Sequence, residues 1–399
     1  MPVDRRWHDV LVETVTPLAM GGAAQRGAEG AEPLRARSVR GLLRTWTRFL
    51  AGSRMTPEAL RELERKVYGG VHGKVTESPV KVRVMSHGRV DRDAWGTGPG
   101  GAEGSHGERR ADEVTGKHGK YVKGVRYLGD VSFRETRAAP ARHLVQPGQR
   151  CTVGLRYLGD QDRHEWLLWA SLWLLVHLGG AGSRSSRAFG GLAVARAPER
   201  GRAVLGDDVP WSFGETPEVC GAALQRGLRA LSGGADARFG EPVRRTGYGT
   251  LDATTVWVVT PSFGSVAEAQ RHLGDTLFAY RHHREPDTSA VLSGSATLER
   301  PAWGLPLRMP NAILEPASGD NRWPSPITFR VQRLEGDLFA LVVVARDVAL
   351  MNARAGHTTY TTEVDGLRDR GAVPKLLAQV EDEQWSGDQT HRLLAVWPS

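Results

Sequence analysis

The stretch from Gly179 to Gly191, GGAGSRSSRAFGG, joins two kinds of residue that together suit an anion. Its glycines permit positive φ and let a bulky anionic ligand approach backbone N–H groups closely. Arg184 and Arg187 add planar donors that match phosphate oxygens, and Ser183 and Ser185 stand between Gly182 and Gly190 as further polar contacts. A second basic set lies at Arg37, Arg40, Arg44 and Arg48, whose spacing stacks them on one face of a helix. Like charges so stacked cost a few tenths of a kcal/mol each. A helix N-terminus already attracts anions, so a basic stripe starting there fits phosphate better than solvent. The plainer readings are a flexible surface loop for the first set and a solvated arginine face for the second. No known phosphate fingerprint is complete: the loop lacks the Gly-Lys-Ser/Thr ending and follows a helix, and Gly96, Gly98 and Gly100 open no helix.

Acid–base chemistry is harder to assemble. RNA cleavage without a metal needs a base near the 2′-OH and an acid at the leaving oxygen, most often histidine. His8, His72, His143, His164, His177, His282 and His283 are available, but none lies in the glycine loop. His177 ends an apolar helix and reads as a core residue, whereas His282 and His283 sit in a basic helix end. Asp207 and Asp208 precede Pro210 and read as a turn. Cys151 and Cys220 match no metal or redox spacing. No catalytic residue, metal ligand or cofactor site is assigned on these grounds.

The elements that must position the two basic sets follow from periodicity. A strand begins at His8 and breaks at Thr16-Pro17. Ser38 is placed to cap a helix reaching about Leu50, with Val39, Leu42, Leu43, Trp46 and Phe49 at helical spacing. A surface helix is expected over 57–67 and a strand over 80–85. Residues 93–119 turn to glycine, charge and histidine and read as an insertion. Strand-like patterning returns over 121–133 and 150–158, followed by a buried helix over 163–178 and a strand over 192–196. This order is the ferredoxin-like βαββαβ plan. A helix near 217–231, a strand at 254–259, a helix at 266–280 and a hairpin of 327–334 with 338–344 repeat it in part. The fold expected is therefore α+β, with two tandem ferredoxin-like domains.

Length and charge agree. At 399 residues the chain exceeds one ordinary core, and glycine and proline gather without apolar periodicity over 197–217, which divides it near residues 1–200 and 201–399. Net charge is +8, nearly all of the excess arginine, which favours a polyanionic partner only where it clusters. The N-terminus carries no apolar signal core, and the longest apolar run, 166–178, is too short to span a bilayer; a cytoplasmic protein without membrane association is expected.

Three stretches together carry a family likeness: Thr16-Pro17-Leu18-Ala19-Met20-Gly21-Gly22, the run from Leu34 to Trp46, and Ser183 to Gly191. They resemble the RAMP proteins of CRISPR systems. More narrowly, Trp303 to Pro306 and Arg322 to Pro326 look like the second-domain loops of the two-RAMP-domain subunit of type III-B (Cmr) effectors. The resemblance implies a non-catalytic subunit of an RNA-guided, RNA-targeting particle, away from the 5′ tag of the guide. Its partners would be guide RNA, target RNA and neighbouring RAMP subunits. On this reading Arg37, Ser38, Arg40, Arg44, Arg48, Gly182, Ser183, Arg184, Ser185, Arg187, Gly190 and Arg322 contact RNA. Some RAMP proteins are metal-independent ribonucleases, so processing of CRISPR RNA is the alternative. The 21–33 loop and the 93–119 insertion depart from the family pattern.

Overall fold

A computed structural model gives the fold over residues 4–20, 34–72, 74–87, 90–94, 114–115, 121–122, 124–133, 142–244, 246, 249–283, 297–298, 307–308, 313–319, 323, 325–346, 353–355, 358–362 and 392–398. The first half contains strand β1 (His8–Thr14), helices α1 (Ala36–Ala51) and α2 (Pro57–Tyr68), strand β2 (Val80–Ser86), helix α3 (Gly124–Phe133), strand β3 (Arg150–Tyr157), helix α4 (Asp162–His177) and strand β4 (Leu192–Val194). Its sheet runs β4-β1-β3-β2, every neighbour antiparallel. That order, with α1 and α4 as the two crossovers, is the ferredoxin-like topology.

The second half opens with α5 (Glu199–Leu205) and α6 (Pro217–Phe239), then β5 (Thr254–Phe263), α7 (Val266–His283), β6 (Ile327–Arg333), β7 (Phe339–Arg346) and β8 (Arg392–Trp397). Its sheet runs β6-β7-β5-β8, again antiparallel. Read from β8, this is the same fourth-first-third-second order as in the first sheet. The α+β class and the repeated ferredoxin-like plan therefore stand.

Period-2 alternation explains how the second sheet serves two cores. Val256, Val258, Val342, Val344 and Val396 face Leu224 and Leu228 of α6 and join the large core containing α1, α4 and the first sheet. Their strand neighbours Val259, Phe329, Val331, Leu341 and Val343 face the other way, onto Ala269, Leu273 and Leu277 of α7. Ala188 and Phe189 of the glycine loop insert into this second core. α4 carries Trp166, Trp169 and Trp173 with nearly every residue buried, because helices flank it in addition to the sheet.

Four local expectations change. α1 starts at Ala36, with extended Arg35 as its cap (φ −113°, ψ 135°) and no side-chain bond there, so Ser38 lies inside the first turn and is not the cap. Residues 124–133, expected as strand, form α3. Leu128 of that helix packs on Leu273 and Leu277, and tertiary burial overrides strand propensity. The α3–α7 contact is close enough that a β-carbon at Gly124 would lie 2.2 Å from the Arg271 carbonyl oxygen. The helix expected over 217–231 continues to Phe239. The stretch 197–217 is more than a connection: it holds α5 and buries Val209, Trp211 and Phe213 in the core.

Three buried or half-buried arginines, Arg54, Arg333 and Arg330, tie the halves together. The Arg54 side chain is fully buried and donates to Asp236 (2.7 and 2.9 Å) and to both oxygens of Asp252 (2.8 Å each). Glu13 of β1 accepts from Arg150 at 2.8 Å and from Arg333 of β6. Arg330 of β6 is buried with no carboxylate partner among the described residues; it donates to the carbonyl oxygens of Gly179 and Leu192 and to Gln332 Oε1 at 3.2 Å. Burial lowers its pKa to about 9, which still leaves it charged at neutral pH. His177 lies nearby among Trp173, Trp211 and Phe213, neither ring nitrogen bonded, and burial followed by the Arg330 charge holds its pKa well below the ordinary value.

Two expectations follow for stability. Arg330→Met leaves two carbonyl oxygens without their charged donor and should lower unfolding free energy by roughly 2 to 4 kcal/mol in urea melts, since each charge-assisted bond is worth about 1.5–3 kcal/mol. His164, whose Nδ1 lies 3.1 Å from the Tyr157 hydroxyl, has its pKa lowered from 6.5 to about 4, chiefly by burial. With His177 it stays neutral in the fold while the unfolded chain takes up protons. Their contribution is complete above pH 6.5 and declines as pH falls towards 4. Melting temperature should fall over that window, and His177→Phe, which fits the aromatic cluster and removes one titrating site, should flatten the decline.

Candidate RNA-binding surface

α1 presents its arginines on one side, as the spacing requires, yet the structure divides them into two pairs. Arg44 donates to the carbonyl oxygens of Tyr68 (3.3 Å) and Gly69 (2.9 Å) and lies 3.8 Å from Glu64 Oε2. Arg48 grips both oxygens of the buried Glu64 at 2.6 and 2.8 Å. These two side chains hold α2 against α1, a structural role that spacing alone did not show. Arg37 and Arg40 are exposed, and no carboxylate pairs with either among the described residues. Ser38, half-buried, lies between them in the first turn.

Arg37 and Arg40 line a cleft of about 600 Å³ between the start of α1 and the edge strand β2. Across it stand Lys81 and Arg83, with Trp7 at one end. Arg83 bonds Asp9 at 3.0 and 3.1 Å and lies 4.5 Å from the Trp7 ring centroid, while Lys81 is paired with Glu77. Both cations keep charge in the cleft but are anchored. The first turn of α1 contains no acidic residue, so its dipole adds to the positive field. Trp7, Lys81 and Arg83 were not singled out from sequence. The alternation of Lys81 and Arg83 against Val80, Val82 and Val84 carried a signal for one side of the cleft.

The glycine loop is built differently from an open cradle. Ala181 N–H donates to Gly190 O (2.8 Å), Ser183 N–H to Ala19 O (2.9 Å), Ala188 N–H to Phe329 O (3.0 Å) and Gly190 N–H to Pro17 O (2.9 Å). Gly191 N–H donates to Thr16 Oγ1 at 2.7 Å. Those donors are therefore spent within the protein. Gly190 has φ 63°, and a β-carbon there would lie 1.8 Å from the Ala181 carbonyl oxygen, so glycine is required by close backbone packing. Gly190 is buried. Arg187 is nearly so, its guanidinium 5.9 Å from the Phe329 ring centroid of the second sheet.

What the loop leaves accessible is its tip. Gly182 is exposed, and Ser183, Arg184, Ser185 and Ser186 are half-buried, with Arg184 in the left-handed region at φ 63°. Arg142 reaches the tip and donates to Ser183 Oγ at 2.7 Å. Arg322, Trp303 to Pro306, residues 21–33 and most of 93–119 lie outside the described residues. Among the described residues no group of His, Cys, Asp or Glu is arranged to hold a metal ion, and no helix is long and apolar enough to cross a membrane.

Comparison with known proteins gives this surface a setting. Residues 11–193 match the family model of the RAMP superfamily. The CRISPR system Cmr subunit Cmr1-2 of Pyrococcus furiosus is 29% identical over 195 residues, which cover 46% of this chain and 92% of the relative. In three dimensions the chain is similar to apo Cmr1 from Pyrococcus furiosus, with TM-score 0.62 and 20% identity over 98% of this chain and 99% of the other. It is also similar to a chain of the type III-B Cmr-beta assembly bound to cognate target RNA, with TM-score 0.53 and 9% identity over 94% and 99%. These last two are likenesses of fold.

The division of the arginines predicts a division of effects. Arg48→Ala leaves the buried Glu64 of α2 without its main partner on α1 and should lower stability by on the order of 1 kcal/mol, while Arg37→Ala and Arg40→Ala should stay within about 0.5 kcal/mol of wild type. Chemical denaturation of the three single variants checks this.

Proposed function

We propose, from the match of residues 11–193 to the RAMP superfamily, that this chain is a non-catalytic RNA-holding subunit of a type III-B CRISPR effector. It would act at the guide-RNA 3′ end, helping to hold guide RNA and capture target RNA in antiviral defence beside other RAMP subunits. The Pyrococcus furiosus relative is a Cmr subunit, and a structural neighbour belongs to a Cmr-beta assembly carrying target RNA. Both fit such a role, as does a reading of residues 1–200 and 201–399 as two RAMP domains.

The observation that carries the proposal is the pair Arg37 and Arg40, exposed and without carboxylate partners among the described residues, on a cleft also lined by Lys81 and Arg83. Unpaired guanidinium groups beside a helix start suit a phosphodiester backbone, which is gripped without reading bases. Trp7 offers one aromatic surface at the same cleft, a feature of single-strand binding grooves. Ser38 and the loop tip, Gly182 to Ser185 with Arg184, extend the candidate contacts. The buried, neutral His164 and His177 offer no support to the ribonuclease alternative.

Filter binding of single-stranded RNA in EDTA across a salt series tests the proposal. Affinity should fall linearly on logarithmic axes as salt rises. Arg37→Ala with Arg40→Ala should weaken binding across all sequences and reduce the slope by about 1.4, at about 0.7 per phosphate contact. RNA recovered on a denaturing gel should be intact. Wild-type affinity and slope in the double variant would remove the cleft from the interface, and EDTA-resistant cleavage products would overturn the non-catalytic role.

A further inference from the structure

A separate cavity of about 450 Å³ opens where α1 and α2 meet the segment before β5 and the end of β7. It shares no lining residue with the Arg37–Arg40 cleft. Trp46, Phe49 and Leu60 give it an apolar wall, and Arg61, Arg244 and Arg346 bring positive charge from both halves of the chain. Cavities of this size that combine apolar walls with a few polar groups are the usual form of small-molecule sites.

Arg346 is the unusual member. Its guanidinium lies 5.4 Å from the Trp46 ring centroid and 5.7 Å from that of Phe49. Its buried Nε has no hydrogen-bond acceptor, and no carboxylate pairs with it among the described residues. Burial lowers its pKa to about 10, so it remains a cation at neutral pH. A charge taken from water is normally answered by an opposite charge or by hydrogen bonds. Arg54 is answered by Asp236 and Asp252, and Arg330 by two carbonyl oxygens. Arg346 has two rings and an open cavity. Arg244 donates from Nε to the Met55 carbonyl oxygen at 2.6 Å, and Arg61 pairs with Glu58 at 2.7 Å. The glutamate of the lining, Glu64, is already held at two points by Arg48.

We propose that this cavity binds a phosphorylated nucleoside, its phosphate held by Arg346 and Arg244 and its base against the apolar wall of Phe49 and Leu60. A free mononucleotide and a phosphorylated RNA end present the same chemistry. The site is independent of the backbone contacts at Arg37 and Arg40, and either can fail alone.

Calorimetric titration of the full chain with AMP, adenosine, inorganic phosphate, and one short RNA with and without a terminal phosphate separates these cases. AMP should bind with Kd on the order of 1 mM or tighter, and adenosine about tenfold or more weaker. Arg244→Gln and Arg346→Gln should each weaken AMP by about tenfold, while Arg37→Ala with Arg40→Ala leaves it unchanged. Binding of phosphorylated RNA that depends on Arg244, with AMP inert, would assign the site to a strand end. Arg244 is half-buried at the rim, so Arg244→Gln decides the matter if Arg346→Gln does not fold. If neither AMP nor the terminal phosphate gives binding that depends on these arginines, the cavity is not a nucleotide site.

Discussion

A single guanidinium fixes the path of the glycine loop. Arg330 donates to Gly179, where the loop leaves α4, and to Leu192, where it enters β4, so both stems converge on one buried cation. With no carboxylate partner among the described residues, that cation is held by carbonyl dipoles, and those dipoles belong to the loop ends. Between the stems, Ala181 closes on Gly190, while Ser186 and Ala188 pair with the backbone of Phe329. The tip is presented to the outside because everything behind it is committed.

The same economy of polar groups governs α1. Its hydrophobic side fills the core through Val39, Leu43, Trp46 and Phe49, and its arginines divide according to whether an acid lies within reach. Glu64 on α2 satisfies the C-terminal pair. Among the described residues no acid pairs with Arg37 or Arg40 at the start of the helix, and β2 brings Lys81 and Arg83 across from them, so positive charge gathers there. Electrostatic attraction for a polyanion thus centres on Arg37 and Arg40, which have no carboxylate partner among the described residues.

Much of this was legible in the chain itself. Apolar period 3.6 marked α1 and α7, near-continuous apolarity marked α4, alternation marked β2 and β3, and the turn Glu335-Gly336-Asp337 marked the hairpin of β6 and β7, because each of these elements buries one regular face or lies wholly inside. α3 was read as strand because Val125, Tyr127 and Val131 have high strand propensity, whereas its conformation depends on a partner helix far along the chain. The basic stripe and the glycine loop were visible as compositions. Their inner members, Arg44, Arg48, Arg187 and Gly190, were not separable from their outer ones, because Glu64 and Phe329 are brought to them only by tertiary contact. Arg330 left a trace as a charge within an apolar strand, Ile327 to Arg333, but a lone arginine does not announce carbonyl partners in the other half.

The contact between the loop and β6 has a consequence for synthesis on the ribosome. Gly179 and Arg330 are 151 residues apart, so the loop emerges long before the strand that will hold it. At about 5–20 residues per second, translation leaves roughly 8–30 s in which Ala188 and Phe189 have no second core to enter. During that interval the nascent first half carries an apolar loop and an unpinned helix end. Its final shape is a product of the completed chain, acquired when β6 docks against it.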